Sequence, residues 1–199
     1  MRLCLIPRIF SQWPHLAYAR PDAGSLAYDG AKHRRRYKRV LLIAQLLALL
    51  TVANGTPIIA AKLLGEALAT PVDGNLTFVD GRPLFGPSKT LRGVVLSILV
   101  TSAFAPLIGL EWRVGALVAI TAMIGDLFSS FLKRRMDLRA SSRSIGLDQI
   151  PESLLPLIAC QLLLPLTVFD IVLATAIFVI GALILSRVLF TLHLRDEPY

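Results

Sequence analysis

Apolar residues gather in five runs along this chain, each close to the 20 or so helical residues needed to cross the hydrocarbon core of a bilayer. The runs are residues 40–64 (VLLIAQLLALLTVANGTPIIAAKLL), 91–110 (LRGVVLSILVTSAFAPLIGL), 112–132 (WRVGALVAITAMIGDLFSSFL), 151–169 (PESLLPLIACQLLLPLTVF) and 171–190 (IVLATAIFVIGALILSRVLF). Asn54, Gly55 and Pro57 interrupt the first run, which is expected to break there, and the fourth carries three prolines. Two long polar connections, residues 65–90 and 133–150, separate the runs, and the remaining links are short. Two spans lie between the long connections, so both emerge on one face and can build one site. The expected fold is an all-α integral membrane protein with about five transmembrane helices.

Composition agrees: 55% of the 199 residues are hydrophobic and the mean hydropathy is +0.66, too apolar for an ordinary soluble domain. The net charge of +8 belongs almost wholly to the start of the chain, where nine Lys or Arg face two Asp before Val40. The remainder is nearly neutral, which argues against nucleic acid as a partner of the folded part. Residues 1–36 read as a poorly ordered basic extension and 37–199 as the membrane domain. The cations of KHRRRYKR (32–39) suit a lipid headgroup layer. Cys4 and Cys160 form neither a disulfide framework nor a metal-type spacing. Over the loops, tails and span ends, ten Lys or Arg lie on the face of the long loops and seven on the other. By the positive-inside rule the loops are expected to be cytoplasmic, with the protein in the plasma or inner membrane.

The third run carries the least expected residue. Asp126, Ser129, Ser130 and Lys133 fall at i, i+3, i+4 and i+7, one polar stripe running toward the loop face. A carboxylate inside a membrane helix is costly and marks a candidate functional site, the alternative being a structural pair with a nearby cation. Gly125 permits another backbone to approach at that level. Beyond the stripe, Lys133, Arg134 and Arg135, with Arg139 and Arg143, suit a polyphosphate gripped by Arg forks, or serve only as topogenic charge. Asp148 precedes the fourth run, and Pro151 at a first helical position puts Glu152 in the first turn, where the helix dipole alone could account for it. Asp126, Asp148 and Glu152 together offer hard oxygen ligands of the kind Mg²⁺ takes. At the second run, GPSKTLRG (86–93) brings Lys89 and Arg92 to a helix start whose N–H groups attract phosphate, with Ser88 and Thr90 as candidate caps. ANGTP (53–57) either kinks the first helix or lines a wet cavity with Asn54. No His or nucleophile elbow accompanies Ser130, so hydrolase chemistry of that kind is excluded.

In order, ANGTP, GPSKTLRG, GDLFSSFLKRR and GLDQIPESLLP resemble the membrane-bound CDP-archaeol synthases, relatives of the phosphatidate cytidylyltransferases, over about residues 40–192. The resemblance implies transfer of CMP from CTP to a lipid phosphate with release of pyrophosphate. Asp126, Asp148 and Lys133 would be the catalytic residues, and Asp126, Asp148 and Glu152 would hold Mg²⁺. Lys89, Arg92, Ser129, Ser130, Arg134, Arg135 and Asn54 would bind substrate. The implied partners are CTP, a lipid phosphate and the membrane, and a homodimer stays open. One rival, a CDP-alcohol phosphotransferase, needs an Asp-rich motif for which DGRP (80–83) has no companions. The other is a transporter or scaffold whose buried charges are structural.

Overall fold

The computed structural model describes residues 23–138 and 147–191, with side chains from residue 36 to residue 187. Among these residues there are five helices: α1 (Ala23–Leu64), α2 (Leu91–Leu107), α3 (Trp112–Arg135), α4 (Gln149–Cys160) and α5 (Val168–Thr191). The chain divides into two units, residues 1–40 and 41–199. The described part of the first is helical from Ala23, inside the stretch assigned from sequence to the extension.

Leu46, Leu49 and Leu50 of α1 pack with Ala105 of α2, Val114 and Val118 of α3, Leu157 and Cys160 of α4, and Ile171 and Ala174 of α5. Toward the loop end the core narrows to Ala53, Ala119, Ala122 and Met123. Small residues suit crossings in lipid, where close packing replaces the hydrophobic drive between helices. Gly115 is one such crossing: a Cβ there would stand 2.5 Å from the Thr101 carbonyl oxygen of α2.

Among the described residues three helices are long and apolar enough to cross a membrane, over Arg36–Leu64, Trp112–Arg135 and Val168–Arg187, and α2 is a shorter apolar helix. The fourth run departs from expectation. Its helix has 12 residues, about 18 Å at the α-helical rise, too short to cross the core as a helix alone. Beyond Cys160 the chain turns, with Leu163 and Leu164 both donating to the Cys160 carbonyl, and Pro165 prevents the helix from resuming. Thr167 and Asp170 then open α5 as a reciprocal cap: the Thr167 N–H donates to Asp170 Oδ2 at 2.9 Å and the Asp170 N–H to Thr167 Oγ1 at 3.3 Å.

The break expected at ANGTP is absent, because α1 runs straight through Pro57. A proline inside a helix frees the carbonyl four residues back, here that of Ala53. The buried Ser97 hydroxyl of α2 donates to it at 2.7 Å, so that carbonyl is not orphaned in the membrane.

Candidate active site

The long connection between α1 and α2 is a folded ribbon. Isolated antiparallel bridges pair Pro71 with Thr90 and Thr77 with Pro83, and Val72 donates to the Lys89 carbonyl at 2.8 Å. Its organiser is Asp73, which sequence reading missed. Oδ1 accepts from the Asn75 N–H at 3.1 Å, while Oδ2 accepts from Phe85 at 3.0 Å and Gly86 at 3.1 Å. These bonds fix the turn that carries Lys89, with Gly86 in the left-handed region at φ +95. Thr90 caps α2 as expected, accepting from the Gly93 N–H at 3.4 Å.

Burial alone would raise the Asp73 pKa, but its backbone donors outweigh that and hold the carboxyl below the ordinary range. A lowered folded pKa contributes stability that is complete above the free carboxyl's value of about 3.9 and is lost as pH falls through the folded value. Melting temperatures of the wild type and Asp73→Asn should therefore differ most above about pH 4 and converge below it. A gap that is independent of pH would refute a role for the charge.

The ribbon is clamped to the end of α3. Arg82 donates to the last carbonyls of that helix, Arg134 at 3.2 Å and Arg135 at 3.1 Å. Arg135 donates to Asp80 Oδ1 at 2.6 Å and to the Pro83 carbonyl at 2.7 Å. Its guanidinium lies 4.8 Å from the Phe78 ring centre and 4.9 Å from that of Phe131. Both long connections thus meet at one end of the bundle, as the span count requires.

Asp126 sits where α4 meets α3. Gly125 is buried against the first turn of α4: a Cβ there would lie 2.6 Å from the Pro151 carbonyl carbon, 2.9 Å from the Glu152 nitrogen, and closer still to the Pro151 oxygen. That approach brings the first turn of α4, and Glu152 with it, close to Asp126. From the ribbon, Lys89 forms an ion pair with Asp126. About two helical turns nearer the α3 terminus, Lys133 Nζ meets Asp148 Oδ2 at 2.5 Å, with both side chains largely buried. Asp148 occupies the N-cap of α4 without capping it, so its carboxylate is committed to Lys133 and not to the helix. Four segments, namely the ribbon, α3, the approach to α4 and α4 itself, bring charges of both signs together.

The other residues singled out from sequence divide by their partners. Ser129 and Ser130 are buried and donate to the Asp126 carbonyl at 2.9 and 2.8 Å, which rigidifies the helix at that residue. Arg92 donates to the Gly65 carbonyl at 2.6 Å and to that of Ala67, tying the end of α1 to the start of α2. Arg135 is the clamp just described. These two arginines are engaged by backbone and aromatic rings, while Arg134 lies beside Gly86; the buried Nε of each of the three has no hydrogen-bond partner. Asn54 likewise has a buried amide nitrogen without a partner. Arg139 and Arg143 lie outside the described residues.

Among the described residues no three metal-type side chains are gathered into a ready site, yet the donors suit a hard cation. Asp148 Oδ1 is buried with no partner. The start of α4 brings Glu152 close to Asp126, adding further carboxylate oxygens. An all-carboxylate set of this kind fits Mg²⁺.

Comparison with known proteins points the same way. A family model described as "CarS-like: CDP-archaeol synthase" matches residues 106–199. The CDP-archaeol synthase of Pyrobaculum islandicum is 31% identical over 74% of this chain and 92% of its own length. That of Sulfurisphaera tokodaii is 30% identical over 65% of this chain and 82% of its own. The Hyperthermus butylicus enzyme is 38% identical over 49% of this chain, and the match spans only 59% of that relative. A solved structure described as "Structural insight into an intramembrane enzyme for archaeal membrane lipids biosynthesis" superposes with a TM-score of 0.62 at 28% identity, covering 70% of this chain and 89% of that one.

Proposed function

The chain belongs to the CDP-archaeol synthase family, and on that premise we propose that it transfers CMP from CTP to a membrane lipid phosphate through the charged cluster at the loop end of α3 and α4. In this reaction an oxygen of the lipid phosphate bonds to the α-phosphorus of CTP. The bond from that phosphorus to the bridging oxygen breaks, and pyrophosphate leaves with its electron pair. The attacking phosphate is already ionised, so no general base is required. Catalysis then rests on alignment and on neutralising the charge that builds up on the phosphates.

Each part of the cluster suits one of these tasks. Lys89 and Lys133 are held by Asp126 and Asp148 with their ammonium groups already oriented, ready to take phosphate oxygens as further partners. Arg134, beside the Gly86 turn, adds a fork that suits the triphosphate. Mg²⁺ would be held by Asp126, Asp148 and Glu152 and would supply further neutralisation of the phosphates. The loop end faces the cytoplasm, where CTP is available, and the acyl chains stay in the bilayer while only the polar head reaches the cluster. A non-catalytic transporter or scaffold fits less well, because buried pairs drawn from so many segments are an expensive way to stabilise a fold.

The observation that carries the proposal is the joining of Asp126, Lys89 and Glu152 from three segments at one point. Isothermal titration with CTP and Mg²⁺ tests it. Lys133→Ala should weaken nucleotide binding by about tenfold to a hundredfold, the worth of a charge-assisted hydrogen bond. Arg113→Ala, at the opposite end of α3, should leave it unchanged. Equal affinity in all three proteins would remove the cluster from CTP binding.

A further inference from the structure

Phe78 and its neighbours are apolar side chains of the ribbon that the cluster does not explain. Val79, at the tip of the turn closed by the Gly81 N–H on the Phe78 carbonyl at 2.9 Å, is 95% exposed, and Leu76 beside it is 63% exposed. A polar loop in water has no use for such residues at its tip. Their place in the fold supplies a reason. Ile120, Ile124 and Phe128 are exposed apolar side chains on one face of α3. At 100° per residue, Phe131 and Arg135 continue the same stripe to the end of the helix. Such a stripe on a membrane-spanning helix is its lipid-facing side. Phe78 packs edge-on against Phe131, with ring centres 5.5 Å apart. The ribbon tip therefore lies where the lipid-covered face of α3 ends, at the level where acyl chains give way to headgroups.

We propose that Leu76, Phe78 and Val79 form a bilayer-inserting anchor, so that the ribbon carrying Lys89 is held partly by lipid. Arg135 sits between the two rings with its charge turned to Asp80, the arrangement of an arginine whose stem lies along apolar surface and whose head stays at the wet boundary. Aromatic and cationic side chains of this kind are favoured at the membrane interface. The apolar tip thus extends the lipid contact of α3 outward onto an extramembrane segment, and the occupant of this surface is lipid.

Reconstitution in phosphatidylcholine vesicles tests the anchor. With Cys4→Ser and Cys160→Ala removing the native thiols, an environment-sensitive fluorophore is placed on Val79→Cys or, for comparison, on Ser88→Cys, an exposed position of the same ribbon. The label at 79 should be quenched several-fold more strongly by lipids bearing a nitroxide near the glycerol end than the label at 88, and several-fold less by aqueous iodide. Iodide reaching position 79 as readily as position 88 would overturn the anchor. So would a label at 79 that is shielded from iodide yet untouched by lipid nitroxide and becomes iodide-accessible on dilution into excess lipid, since a second copy of the chain would then cover the tip.

Discussion

Asp126→Asn is expected to lower the rate of CMP transfer by about a hundredfold to a thousandfold, the range seen when one preorganised electrostatic group is removed from an active site. The substitution keeps the shape of the side chain and removes its charge. Lys89 then loses its partner, and Glu152 loses the second carboxyl beside it. Breaking a buried pair on one side leaves the other charge uncompensated, so Lys89 should be displaced along with the turn that carries it. Pyrophosphate release by the purified variant measures the loss, and a melting temperature near that of the wild type separates it from unfolding. Full turnover in the variant would show that the carboxylate is structural.

Gly125→Ala should be nearly as damaging, although it touches no substrate. The added methyl group would stand 2.6 Å from the Pro151 carbonyl carbon, and backbone cannot rotate aside as a side chain can. Overpacking of this kind costs about 1–3 kcal/mol, and α4 must shift outward to relieve it. Since Glu152 and Asp148 ride on the start of α4, the shift separates them from Asp126 and Lys133. A displacement of about 1 Å can cost roughly a hundredfold in rate. Gly181→Ala in α5 provides the contrast: nothing lies within 4 Å of its added Cβ, so the change should be neutral or gain up to about 1 kcal/mol in helix propensity. Activity and melting temperature of the two variants, measured side by side, check both expectations; equal behaviour would mean that the Gly125 contact does not hold the site together.

The parts of this fold legible in the sequence are those written in local patterns. Apolar runs gave the long helices of residues 112–135 and 168–191 to within a few residues, and the i, i+3, i+4, i+7 stripe led directly to Asp126 and Lys133. Gly125 was readable as a close approach because it precedes Asp126 within the polar stripe, although glycine by itself is common in membrane helices. What could not be read depends on partners far away in sequence. Nothing near Pro57 announces that Ser97 will accept responsibility for the freed Ala53 carbonyl, and so a break was expected where a continuous helix stands. Asp73 sits in an ordinary-looking Asp-Gly-Asn turn; its decisive donors are Phe85 and Gly86, across the ribbon. Arg92 and Arg135 carry the same charge as Arg134, and only the packed structure tells which of them is spent on carbonyls and rings. The fourth run read as short and rich in proline, but how early its helix ends was hidden because Leu162, Leu163 and Leu164 are as apolar outside a helix as within one.

Transfer of label from CTP marked at its α-phosphate into lipid measures the central claim most directly. The purified protein, reconstituted with Mg²⁺ and a panel of lipid phosphates, should move the label into an organic-extractable product while releasing pyrophosphate in equal amount. Label that remains in water-soluble nucleotide with every lipid phosphate, from a protein that is folded and binds CTP, would contradict CMP transfer at this site.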